Sequence, residues 1–162
     1  MGEFMREGDF EADGKIFSMQ NGFLELLEER RNDYKTWVPV YCVAVHDYVF
    51  FNMQGFNHLR FKIDNTPRNP KESMYKLGLL PLVRPAVHLA TVVEKYERRI
   101  APIGGSRKIT LKEMDYWAVE SIVGRKNARV RIILRKLVGG EHIHFWSIMK
   151  LGENQKPPPL EG

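Results

Sequence analysis

Two stretches near the C-terminal end concentrate side chains that can do chemistry, RKNARVRIILRK (125–136) and HIHFWSIMK (142–150). Side chains alternate faces along a strand. In the first stretch Arg129, Arg131, Ile133 and Arg135 therefore share one face, and Ala128, Val130, Ile132, Leu134 and Lys136 share the other. With Arg125 and Lys126 in the turn before them, six cations fall within residues 125–136, and residues 122–140 contain no acid. Such a row can hold anionic oxygens; the plain alternative is a solvated strand face. In the second stretch His142, His144, Trp146, Ile148 and Lys150 alternate with Ile143, Phe145, Ser147, Met149 and Leu151. Paired antiparallel after the Gly139-Gly140 turn, the histidine face adjoins the arginine row. Imidazoles move protons near neutral pH, Lys150 and the arginines attract phosphate, and an indole such as Trp146 can stack on a base. His-x-His also invites a metal, but a catalytic zinc needs a third protein ligand, and the sequence offers none nearby.

His58 is a second candidate. The stretch MQGFNHLRFKI (53–63) reads as a short helix with Phe56, Leu59 and Ile63 on one side and His58 and Lys62 one turn apart on another. Arg60 and Arg68 add positive charge there. The alternative is a boundary histidine capping the core. His88 lies in an apolar helix and reads as packed, His46 as a turn residue, and Cys42 as a buried hydrophobe. Glu120 is one of two acids near a strand edge in the second half, and a partner for the arginines is its first reading.

These residues need a scaffold. Apolar spacing over Ile16–Arg31 predicts a helix, weakened by Gly22, after a flexible acidic stretch over residues 1–15. Residues 37–51 read as a strand or hairpin turning at His46-Asp47. Asn69-Pro70 is an N-cap followed by Pro at the first helical position, and Pro81 and Pro85 split the helical stretch downstream. Strands are expected at 95–101, 115–123, 128–137 and 142–151, with turns at 124–127 and 138–141. The tail, 152–162, is proline-rich and reads as extended. The expected architecture is α+β: N-terminal helices packed on a curved antiparallel sheet, a meander of about four strands, with residues 16–151 as a single domain.

Composition excludes several classes. The chain has 162 residues, 43% hydrophobic and 28% charged, which excludes a disordered chain. A lone cysteine excludes a disulfide scaffold. No P-loop, dinucleotide fingerprint or G-x-S-x-G elbow is present. No apolar run spans a membrane, and the first residues lack an apolar signal core, so a cytoplasmic protein is expected. Residues 1–33 carry nine acids against four bases, while residues 34–162 carry 21 bases against 11 acids. The acidic helix therefore reads either as a shield for the basic sheet or as a plain packing helix.

The order of these elements resembles the small RNase superfamily that unites barnase, EndoU, colicin nucleases and RelE-type toxins, in its phage- or toxin-associated branch. The resemblance rests on Asn57-His58-Leu59, on KLGLLP (76–81) and on the terminal His144-Phe145-Trp146-Ser147, and it covers roughly residues 38–151. It implies a metal-independent, cofactor-free endoribonuclease in which a 2′-hydroxyl attacks the adjacent phosphorus. It implies catalytic roles for His58, Lys62, Arg129, Arg131, His144 and Ser147. Arg125, Lys126, Arg135, His142, Trp146 and Lys150 are then RNA-binding. RNA and an acidic antitoxin or immunity protein are the implied partners. In a regular strand Ser147 and His144 face opposite ways, which sets one against the other; a bulge, or a wet face opposite to the one assigned, would change that. The competing classes are a non-catalytic nucleic-acid-binding module and a basic protein-interaction domain for an acidic partner.

Overall fold

The computed structural model describes residues 7–104 and 108–152, with side chains from Asn21 onward. The proline-rich tail and residues 1–6 lie outside the described residues. Among those described, four α-helices and six strands form an α+β fold. The sheet is open, with strand order β1-β2-β6-β5-β4-β3. Its meander is β3 (Val93–Ile103), β4 (Thr110–Val123), β5 (Ala128–Leu137) and β6 (Ile143–Lys150), each antiparallel to the next. The expected four strands are therefore present, but the sheet is larger and mixed. A hairpin of β1 (Val40–Cys42) and β2 (Asp47–Phe50) adds to β6, with β2 parallel to it. His46 makes that turn in the left-handed region at φ 52°.

Helix α1 runs Glu7–Tyr34, so it starts well before the stretch expected to be helical. Gly22 does not interrupt it; nothing lies within 4 Å of where its Cβ would stand. Leu27 and Tyr34 are buried, and the Tyr34 hydroxyl donates to the Asn52 carbonyl at 2.6 Å. Around Tyr34 gather Trp37, Phe51, Phe56 and Phe145, with ring centroids 5.1–6.5 Å away. Leu27 and Tyr34 of α1, with Phe23 and Leu26 beside them, pack into this core; the acidic side chains before Asn21 lie outside the described residues.

α3 (Pro70–Leu79) begins as the sequence predicts, with the Asn69 side chain accepting from the Lys71 N–H. Pro81 and Pro85 divide the remainder into a 3₁₀ turn (Leu80–Leu82) and α4 (Val83–Leu89). Val83, Ala86, Val87 and Ala90 bury themselves against the sheet, and Ser121 donates to the Ala86 carbonyl at 2.7 Å. His88, expected to pack, is exposed on the other side of this short helix, while Cys42 is fully buried.

β2 pairs only with Ile143 and His144, which leaves the outer edge of β6 open beyond that point. Open edges carry unpaired backbone groups and are usually covered. Here α2 (Met53–His58) and α3 cover it. Gly55 brings α2 so close that an added Cβ would stand 2.3 Å from the Phe145 carbonyl oxygen. Lys76 of α3 donates to the Ile148 carbonyl at 3.2 Å, and the Lys150 N–H donates to the Tyr75 hydroxyl at 3.0 Å.

The two faces of the sheet have different interiors. The helix-covered face holds the main core, with Val130, Ile132, Leu134, Phe145 and Ile148. The opposite face has a smaller one of its own: Ala101, Met114, Tyr116, Ala118, Ile133, Trp146, Met149 and Leu151. The face expected to be wet is thus partly buried, because apolar residues from β3, β4 and β6 fill the gaps between the arginines.

Candidate functional site

The register of β5 and β6 shifts between Ile133 and Leu134. Ile133 pairs with Ser147 and Leu134 with Phe145, so Trp146 is an extra residue in β6. A bulge of this kind re-aims side chains. It brings Ser147 (opposite Ile133) and His144 (opposite Arg135) to the same sheet face, which a regular strand cannot do. It also turns the Trp146 ring onto that face, into the smaller core.

Trp146 is held between two groups. His58 stacks on it with centroids 3.9 Å apart and planes 14° apart, and the Arg135 guanidinium carbon stands 3.3 Å from the ring centre. Both cannot lie that close on one side, so they cover opposite faces. No ring face remains for a base, and the base-stacking role read from the sequence does not fit Trp146. The indole instead anchors Arg135 through a cation–π contact.

Arg135 is 5% exposed, and its Nη2 donates to the Gln54 side-chain oxygen at 3.2 Å. Its Nη1 and the Trp146 Nε1 are buried without a partner among the described residues. Burial pushes the Arg135 guanidinium down from its ordinary value; Tyr116 partly offsets this and the Arg99 charge adds to it. A guanidinium stays charged regardless, so Arg135 is a buried cation. It lines a pocket of about 420 Å³ with Gln54, Asn57, His58, Lys62 and Trp146.

His58 is positioned, and constrained, by its neighbours. Asn52 caps α2 by accepting from the Gly55 N–H, and the helix ends at His58, not at residue 63. Beyond it Phe61 bridges to Pro67, Asp64 accepts from Thr66, and Asn65 takes φ 65°. Lys62 therefore stands on a loop, exposed at the pocket, not one helical turn from His58. The Arg68 guanidinium donates to the His58 carbonyl at 2.9 Å and lies 3.2 Å from its Nε2. Arginine can only donate, so Nε2 accepts and the ring is neutral with its proton on Nδ1. Arg68 is itself paired with Glu72 at 2.8 Å.

His144 adjoins Arg135 across the strands and is half-buried. Burial, then the His142 ring and the Arg135 charge, push its pKa below 6.5, which favours a neutral imidazole at neutral pH. His142 is exposed, lies over Phe50 at 4.1 Å and stands 6.4 Å from His144 between ring centroids. Among the described residues no group of three or more His, Cys, Asp or Glu side chains forms a metal cluster.

The other sequence candidates lie elsewhere. Arg129 and Arg131 both bind Glu120, at 2.7 and 3.0 Å. Arg131 is 2% exposed. Burial alone would raise the Glu120 carboxyl, but hydrogen bonds and charge from the two arginines outweigh it and hold it below the ordinary range. The row thus divides into a Glu120 ion-pair group, in which Arg131 is buried and Arg129 is exposed, and Arg135. Arg125 and Lys126 occupy the turn at the far end of β5, more than ~20 Å of strand from Arg135 at ~3.3 Å per residue. Ser147 is fully buried and accepts from Lys76 at 3.3 Å. Lys150 pairs with Val130, at the other end of β6 from His144. Sequence reasoning did not single out Gln54 or Tyr116 as site residues. The packing of α2 on β6 and the pairing of β4 with β5 bring them in.

No family model matches the chain, and no curated protein or solved structure matches it. No helix among the described residues is long and apolar enough to cross a membrane.

Proposed function

We propose that the chain is a metal-independent endoribonuclease of toxin type, working at the Arg135–His144 end of the sheet face opposite the main core. The observation that carries this reading is Arg135: a guanidinium clamped by Trp146 and Gln54 that lines the pocket together with His58 and Lys62. Such a group holds a phosphate oxygen as it becomes more negative, with little reorganisation. His144, kept neutral by its surroundings, accepts the 2′-hydroxyl proton. The 2′ oxygen bonds to phosphorus, the P–O5′ bond breaks, and His142 supplies the proton to the leaving oxygen. Lys62 at the pocket rim adds charge stabilisation. His58 acts here by positioning Trp146, since its Nε2 is occupied by Arg68. In this reading Arg129, Arg131 and Ser147 support the sheet.

A second reading, a non-catalytic nucleic-acid-binding module, is favoured by one observation: the candidate imidazole closest to the pocket, His58, is locked by Arg68 and Trp146. Incubation of purified protein with mixed RNA in EDTA separates the two. The nuclease reading expects fragments ending in a 2′,3′-cyclic phosphate, and loss of cleavage with retained binding in His144→Ala. Intact RNA in the presence of folded, RNA-binding protein would leave only the binding module.

A further inference from the structure

We propose that Tyr41 and Tyr48, paired on the β1–β2 hairpin, form a base-stacking subsite that makes this face selective for single-stranded RNA. The inference rests on the proposed RNA reading and assigns the stacking role that Trp146 cannot fill. Val49 and Cys42 point into the main core, so the alternate residues Tyr48, Phe50 and Tyr41 belong to the opposite face, with His144 and Arg135. The tyrosine rings lie 5.3 Å apart in a T-shaped pair and are 42% and 53% exposed. An isolated aromatic pair on a hairpin would serve the hairpin alone. This one continues into the site. Phe50 pairs with His144, and His144 pairs with Arg135, so at ~4.8 Å per strand and ~3.3 Å per residue Tyr48 stands about 12 Å and Tyr41, one strand further, about 16 Å from the phosphate donor.

The occupant is set by the charge of that donor and the chemistry of the rings. A phosphate on Arg135 brings the neighbouring bases of the same strand over the hairpin. Bases in a duplex are already stacked on one another, whereas unpaired bases offer free faces to aromatic side chains. Stacking is tolerant of base identity, so the subsite selects for single-strandedness and not for sequence.

The test is fluorescence anisotropy with a 2′-O-methyl oligonucleotide of mixed sequence, which blocks cleavage, as a single strand and annealed to its complement. The wild-type chain is expected to bind the single strand more tightly. The double variant Tyr41→Ala/Tyr48→Ala is expected to lose about tenfold or more on the single strand and little on the duplex. The dependence on salt, set by phosphate contacts, is expected to stay unchanged. Tyr41→Phe/Tyr48→Phe retains the rings and should retain affinity; circular dichroism verifies folding of both variants. Undiminished single-strand binding by the alanine variant overturns the subsite and leaves the RNA reading standing. Absence of wild-type binding to either probe overturns both. Dissociation of a wild-type dimer by the alanine variant in sedimentation, without loss of RNA affinity, would make the hairpin a self-association surface and overturn the proposal.

Discussion

Lys76 provides a test of how the β6 edge is held, and of why Ser147 is withdrawn from chemistry. Its ammonium is carried into the interior, 5% exposed, to reach the Ile148 carbonyl and the Ser147 hydroxyl. Burial, reinforced by the Arg68 charge and partly offset by Glu72, pushes its pKa from 10.5 down to about 8. A depressed lysine costs stability wherever the folded chain must still carry the proton. Between the folded and unfolded values the unfolded chain binds more protons, so stability rises with pH there. The full gap corresponds to about 3 kcal/mol, at about 1.36 kcal/mol per pH unit. Of this, about 1 kcal/mol is recovered between pH 7 and pH 9. Cys42 works the other way. Burial raises its thiol above its ordinary value, so ionisation in the unfolded chain lowers stability over the same interval, equally in both proteins. The perturbation is Lys76→Met, which keeps the stem and removes the charge. It also removes the bonds to the Ser147 and Ile148 oxygens, at a cost that does not depend on pH, so only the pH dependence is diagnostic. Urea unfolding of both proteins at pH 7, 8 and 9 is the assay. Relative to Lys76→Met, the wild type should gain about 1 kcal/mol from pH 7 to 9. A difference that stays constant with pH would refute the account of a buried, charged Lys76.

The same geometry makes three other expectations testable. Glu120→Gln leaves Arg131 buried without its counter-charge and should cost about 3–5 kcal/mol, read by urea unfolding; a neutral outcome would return the arginine row to solvent. Gly55→Ala drives a methyl group into the Phe145 carbonyl, and a loss of about 1–3 kcal/mol is expected, as for other overpacked sites. Normal stability for this variant would mean that α2 does not seat on β6 this closely. If His144 is the base, the acidic limb of a bell-shaped cleavage profile should rise with pH through a value below 6.5. A rising limb centred well above 6.5 would point to a different base.

Much of the scaffold was legible because its signals are local. Asn69-Pro70 opens a helix and Pro81 and Pro85 divide it. Gly124 and Gly139 adopt the positive φ that their turns need. The site was less legible because it depends on pairing. HIHFWSIMK alternates without a flaw in sequence, and only the register against β5 reveals Trp146 as the extra residue. The arginines looked alike at strand spacing. Which pair with Glu120 and which lines a pocket is decided by a neighbour on β4 and by α2, both distant in sequence. The end of α2 at His58 was hidden because the loop that stops it is closed by Phe61 and Pro67. Tyr41 and Tyr48 did carry a signal, since they alternate with the buried Cys42 and Val49. Its meaning depended on knowing which face of the sheet holds Arg135.

The central claim is that Arg135 and His144 together cleave RNA without a metal. Its most direct measurement is product analysis of a defined single-stranded RNA incubated in EDTA with wild type, Arg135→Gln and His144→Ala, each verified as folded. The wild type should release fragments ending in a 2′,3′-cyclic phosphate, and each variant should lose about 10²–10⁴-fold in rate, the usual reach of acid–base and electrostatic groups. Uncut RNA with folded wild type, or cleavage unaffected by both substitutions, would contradict it.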